Sequence, residues 1–228
     1  MGFFFTRLTR YAILILMVFY GTQYLLKSKG YNFTVKEFKA LADKNKGEGA
    51  SSVVKLASDL RRAFGAPVST DVQWSGFQAG GLQLKALVLH GSLTEFIIVF
   101  NAPFATTGRS GLHFANTTCT VLSGSVSRVA DLTHSDTPQT FGPGGNFRTG
   151  EWESYLYTVK EKTYVVCYGR GLIPVSSVWA IPQNVAGGDL FSTGRFFYFY
   201  GKSCFENFAH SLQESVHYLK RRFLKSEL

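Results

Sequence analysis

The chain carries three cysteines, Cys119, Cys167 and Cys204, and five histidines, His90, His113, His134, His210 and His217. These residue types could ligate a metal or supply a nucleophile, but their spacing argues against both. There is no H-x-H pair, no H-E-x-x-H helix, no C-x-x-C pair and no glycine-rich phosphate loop. No metal or cofactor is therefore expected. "VLHGSL" and "SGLHFANTT" each place one histidine in or beside a strand-like run, where a hydrogen-bonded structural role is the simpler reading. Cys167 is the residue that fits least well. It ends the apolar run "TYVVC" just before "YGRGLIP", where Gly169, Gly171 and Pro174 mark a turn. Cys119 opens the run "CTVLSGSVSRV". An odd cysteine count leaves room for one bridge and one free thiol, far short of a disulfide scaffold.

Composition bounds what these residues can belong to. A chain of 228 residues, 45% hydrophobic and 17% charged, can bury a sizeable core, and disorder is not expected. The 21 Phe and 11 Tyr suggest a lipid-facing surface or an aromatic-lined cavity besides that core. The net charge of +9 divides into +7 over residues 1–70, −1 over 71–219 and +3 over 220–228. The nearly neutral centre offers no footprint for nucleic acid. The basic ends suit anionic headgroups or acidic partners, or are simply solvated lysines.

The elements that would position the cysteines follow from periodicity. Residues 1–30 read as a transmembrane anchor, because Tyr11 to Leu26 is an uncharged stretch between Arg10 and Lys27. At 1.5 Å per residue it spans about 24 Å of a hydrocarbon core of roughly 30 Å. Phe3 to Phe5 extend it, and Arg7 and Arg10 can snorkel. The flanking charges do not set an orientation, and "VFYGTQY" is a poor signal-peptide cleavage site. Residues 31–70 read as helical, with Val35, Phe38, Leu41 and Ala42, then Val53, Leu56, Ala57, Leu60 and Phe64, at helical spacing. Asn32 and Asn116 each begin an N-x-Ser/Thr sequon, a sign with meaning only in a lumenal setting.

Residues 71–190 read as strands: "LQLKALVLHGS", "TEFIIVFNAP", "CTVLSGSVSRV", "SYLYTVK", "TYVVCYG" and "SSVWAIP", with no helical runs between them. That pattern predicts a mainly β fold, an antiparallel barrel or sandwich with helical ends. Residues 191–228 read as amphipathic helix, with Phe205, Phe208, Leu212, Val216, Leu219 and Phe223 on one stripe that ends in "KRR". Such a helix either lies in a membrane surface or packs on the barrel or another subunit.

At this level of detail the chain resembles the family of the sigma-1 receptor and the fungal sterol Δ8–Δ7 isomerase. "LRRAFG", "QWSGFQAGG", "LHGSLTEFIIVF", "GRSG", "VLSGS", "YGRGLIP" and "LFSTG" occur in that family's order and spacing, over roughly residues 55 to 220. The resemblance implies a cupin-like β-barrel around an elongated hydrophobic pocket, two C-terminal helices as a membrane-facing floor, and often a homotrimer. It also implies an endoplasmic reticulum membrane protein, with the mitochondrial inner membrane as the alternative. The pocket positions it transfers are Glu95, Phe96, Ile98, Phe100, Cys119, Cys167, Ser176 and Ala180. Two of these are the family's paired acids, an Asp at the position of Cys119 and a Glu at that of Cys167. Phe96 stands where the family has a tyrosine.

The consequence is chemical. A buried carboxylate pair holds a cationic amine or relays a proton at a sterol double bond. A thiol has a reference pKa of about 8.5, which rises in apolar surroundings, so it stays neutral and does neither. A single Glu95 does not restore a shuttle. The expected protein is therefore a non-catalytic, membrane-anchored structural or interaction module, such as an accessory subunit of a membrane assembly. The alternative is a sterol or lipid binding protein, or an isomerase, using the pocket. Expected partners are membrane lipids, other membrane subunits or further copies of the chain, and not nucleic acid. A filled interior would favour the structural role, and an open one the binding role. If the resemblance holds, Cys119 and Cys167 face one cavity, either bridged or as two packed thiols, with Cys204 unpaired.

Overall fold

The computed structural model describes all residues except 1, 29, 48, 66, 70–72, 132–136, 178–180, 183–185 and 227–228. The chain divides into two units, Met1–Tyr31 and Asn32–Leu228. The first is a single helix, α1 (Gly2–Ser28). Its uncharged stretch carries exposed apolar side chains all round, Ile13 to Val18 among them. Among the described residues, no helix is long and apolar enough to cross a membrane, so the transmembrane anchor expected over residues 1–30 is not shown.

The second unit begins with α2 (Val35–Lys44) and α3 (Gly49–Phe64). Thr34 caps α2: its hydroxyl accepts from the Glu37 N–H at 3.2 Å and donates to the Glu37 carboxylate at 2.5 Å. Both helices are amphipathic. Phe38 and Ala42 of α2, with Val53, Leu56, Ala57 and Leu60 of α3, form the buried stripes that the periodicity predicts.

Among the described residues, ten strands follow between Trp74 and Gly171: β1 (Trp74–Ala79), β2 (Leu82–Gly91), β3 (Glu95–Ala102), β4 (Thr106–Arg109), β5 (Ala115–Ser123), β6 (Val126–Ala130), β7 (Gln139–Phe141), β8 (Asn146–Thr149), β9 (Tyr155–Val159) and β10 (Thr163–Gly171). They form a six-stranded sheet, β1-β2-β3-β10-β5-β8, and a four-stranded sheet, β4-β9-β6-β7, in which every pairing is antiparallel. The mainly antiparallel β architecture with helices at its ends, expected from the sequence, is present.

The large sheet is apolar on both faces, which is why β3 and β10 read as continuous hydrophobic runs. Ile97, Val99, Val166 and Tyr168 point to α2 and α3 and join their core. Val165, Cys167, Cys119 and Val121 point the other way and pack with Tyr157 and Val159 of the small sheet. Alternation along each strand thus divides the residues between an outer helical core and an interior between the sheets.

After β10 comes a short helix, α4 (Ile173–Ser177), and then a 37-residue helix, α5 (Leu190–Ser226). The strand expected over "SSVWAIP" is not observed where the chain is described: Ser176 and Ser177 close α4. The apolar run was too short to distinguish strand from helix, and Pro174, favourable in a first helical turn, pointed to helix. Among the described residues the long C-terminal element is one helix where two were expected. Its Ser203 hydroxyl accepts from the Gly91 N–H at 2.8 Å, and its Asn207 amide donates to the Gly91 carbonyl at 2.8 Å. The helix therefore lies along β2 by one stripe, which includes Phe196. The stripe that stands out in the sequence, Phe205, Phe208, Leu212 and Val216, is exposed.

Candidate functional site

A cavity of about 240 Å³ lies inside the unit formed by residues 32–228. Its wall is largely apolar: Phe77 from β1, Phe96, Ile98 and Phe100 from β3, Phe147 from β8, and Phe196 from α5. A glycine makes room for one of these rings. Gly169 stands opposite Phe96 in the β10–β3 register, and a Cβ at 169 would lie 2.1 Å from a carbon of the Phe96 ring. The absent side chain is what lets that ring lie along the sheet.

Cys119 and Cys167 meet in this wall. They are register partners on β5 and β10, with Cα atoms 4.1 Å apart, and they form a disulfide. Of the two arrangements open on the sequence, the bridge is the one observed. Cys204 is unpaired and half-buried, and burial pushes its thiol up to about 11.

The other transferred positions divide. Phe96, Ile98, Phe100 and Ser176 line the cavity. Ser176 also accepts from the Phe114 N–H at 3.0 Å, tying α4 to the loop before β5. Ala180 lies outside the described residues. Glu95, expected in the pocket, does not line it. It begins β3 with its side chain on the helical side of the sheet, where it is fully buried. There it accepts from the Asn32 N–H at 3.0 Å and the Tyr168 hydroxyl at 2.7 Å. Arg170 donates to the Phe33 carbonyl, which lies 2.9 Å from the Tyr168 oxygen and is the alternative acceptor for that hydroxyl's one hydrogen. Burial, with the Glu95 carboxylate beside it, raises the Tyr168 phenol well above its ordinary range. The period of two explains the misplacement: Glu95 is one residue from Phe96 and therefore faces the opposite side.

Several wall residues were not picked out from the sequence. Arg109, Ser110, His113, Thr149, Tyr157 and Tyr200 all contribute. The Arg109 guanidinium is paired with Asp131 at 2.9 Å. Burial holds the His113 ring below its usual pKa, against the backbone carbonyls of Ser110 and Ser176, which favour the charged form. Thr149 and Tyr157 share a buried hydrogen bond of 3.0 Å. The alternation of "NFRT" and "YLYTV" carried this signal, since it puts Phe147 and Thr149, then Tyr157 and Val159, on the inner face. His90, read as structural, is fully buried and bonded to the Pro67 carbonyl at 2.8 Å. Among the described residues, no Asp or Glu lines the cavity and no cluster suited to a metal occurs. A largely apolar space, in which the one formally charged side chain among the described lining residues, Arg109, is paired with Asp131, can hold a neutral ligand.

The fold is mainly antiparallel β, with an interior cavity and helices at its ends. Residues 9–211 match the family model described as ERG2 and Sigma1 receptor like protein. The chain belongs to that family. It is 29% identical over 163 residues to the Sigma non-opioid intracellular receptor 1 of Danio rerio, covering 70% of this chain and 72% of that one. To the protein of the same name from Xenopus tropicalis it is 30% identical over 165 residues, covering 70% and 73%. To the C-8 sterol isomerase of Neurospora crassa it is 27% identical over 160 residues, covering 66% and 62%. Among solved structures, KdgF from Halomonas sp. aligns with a TM-score of 0.37 and 10% identity, over 46% of this chain and 93% of that one.

Proposed function

We propose that this chain is a non-catalytic, membrane-associated binding protein whose cavity takes a neutral apolar or amphipathic ligand. One observation carries the reading: the disulfide occupies the wall position where the family resemblance implies a carboxylate pair, and no carboxylate lines the cavity among the described residues. A protein named for sterol isomerisation and proteins named as receptors are both relatives, and it is the receptor type of function that such a cavity supports. The open space favours binding over a purely structural role as an accessory subunit, for which a filled interior was the expectation. Small-molecule sites commonly occupy about 300–1,000 Å³. At about 240 Å³ the cavity suits a slender lipid chain better than a whole sterol.

Membrane association rests on exposed apolar surface. In α1 that surface runs from Tyr11 to Tyr20. In α5, Phe205 and Phe208 are 72% and 67% exposed, on a helix whose sequence ends in "KRR" and the residues after it. These features fit attachment to an anionic bilayer, with the endoplasmic reticulum as the compartment suggested by the family.

The test is recovery of ligand. The full chain purified from membranes should release a stoichiometric apolar species on organic extraction, identified by mass spectrometry. Ala115→Leu, which fills the cavity from β5, should lose it. A fully occupied Ala115→Leu protein, or an empty wild type that binds no added apolar compound, would overturn the proposal.

A further inference from the structure

We infer that a hydroxyl patch formed by Thr149, Tyr157 and Thr117 selects the head of the ligand, and that the cavity prefers a neutral amphiphile with one hydroxyl group over a hydrocarbon or an amine. The inference rests on the binding reading above and adds the ligand's chemical class.

The patch joins both sheets. Thr117 on β5 and Thr149 on β8 are register partners in the large sheet, and Tyr157 comes from β9 of the small one. All three line the cavity, and Thr149 and Tyr157 are buried. Thr149 and Tyr157 bond each other at 3.0 Å. Each hydroxyl has one hydrogen to donate. Their mutual bond uses one of the two, so one donor and several lone pairs remain facing an apolar space. A buried hydroxyl left without a partner is costly, and a ligand group that accepts and donates at this point relieves that cost.

Position links the patch to the disulfide. Thr117 and Cys119 lie two residues apart on one face of β5, about 7 Å at the rise of a strand. Cys119 faces Phe147 in the β5–β8 register, one pair on from Thr117 and Thr149 on the same face. A ligand whose chain lies against the disulfide and Phe147 therefore brings its head to the hydroxyls. The head must be neutral. An ammonium finds no carboxylate among the described wall residues, and a carboxylate finds the Arg109 guanidinium already paired with Asp131.

The experiment compares decan-1-ol, decan-1-amine and decane by displacement of a bound apolar fluorophore from the full chain at pH 7. Wild type should bind the alcohol about 5- to 10-fold more tightly than decane, and more tightly than the amine. The double variant Thr149→Val, Tyr157→Phe should lose the preference for the alcohol over decane. Equal binding of alcohol and decane by wild type, or a preference that survives in the variant, would overturn the inference while leaving the binding reading intact. If none of the three displaces the fluorophore, both fall.

Discussion

Cys167 stands directly opposite Cys119 across the β10–β5 ladder, and their side chains close one patch of the cavity wall with a covalent bond. The two strands are already neighbours in the centre of the large sheet, so the bridge adds to a pairing that backbone hydrogen bonds hold in register. It also fixes the chemistry of the wall, because a disulfide does not titrate and carries no charge. At this point of the wall the protein presents two bonded sulfur atoms.

The bridge should contribute to stability through the chain it closes. With the cysteines 48 positions apart in sequence, its loss should cost about 2–4 kcal/mol, chiefly by freeing the unfolded chain. The measurement is the urea midpoint of wild type against Cys119→Ser with Cys167→Ser, with and without reductant. Wild type should lose the same amount on reduction, and the double variant should not respond. Equal midpoints under all conditions would show that the bridge does not form.

Restoring acids should restore cation recognition. Cys119→Asp with Cys167→Glu should raise the affinity for decan-1-amine at least tenfold at pH 7, about 1.4 kcal/mol. Wild type should convert no Δ8-sterol. Detectable turnover by the purified wild-type protein would refute the non-catalytic reading, whatever the variant does.

Glu95 should matter to the fold and not to the ligand. It joins the Asn32 backbone to Tyr168 on the side of the sheet away from the cavity. Glu95→Gln removes the charge that strengthens both bonds and should cost about 1.5–3 kcal/mol in denaturant unfolding. Decan-1-ol affinity of the folded variant should stay within twofold of wild type. A large affinity loss at unchanged stability would return Glu95 to the pocket.

Cys204 should be a slow thiol. Burial moves it from 9.0 to about 11, so thiolate is scarce at neutral pH. At pH 8 its alkylation by iodoacetamide should run about 100-fold slower than for an unshifted thiol. The rate should rise about tenfold per pH unit until the pH approaches 11, because the thiolate is the reacting form. A rate at pH 8 equal to that of free cysteine would place the side chain in water.

Local pattern was enough for the helical stripes of α2 and α3 and the long strands β2, β3, β5 and β10. Each of these depends on residues a few positions apart, where periods of 3.6 and 2 are visible. The short strands β4, β7 and β8 were not legible, because three or four residues carry too little periodicity to stand out. The side chosen by Glu95 hung on a one-residue step that only the assembled sheet could orient. The Cys119–Cys167 bond required β5 and β10 to pair in one register across 48 positions, a long-range event that spacing does not encode. The Thr149–Tyr157 contact went unread for the same reason: it joins strands of two different sheets, and those sheets meet only when the whole interior closes.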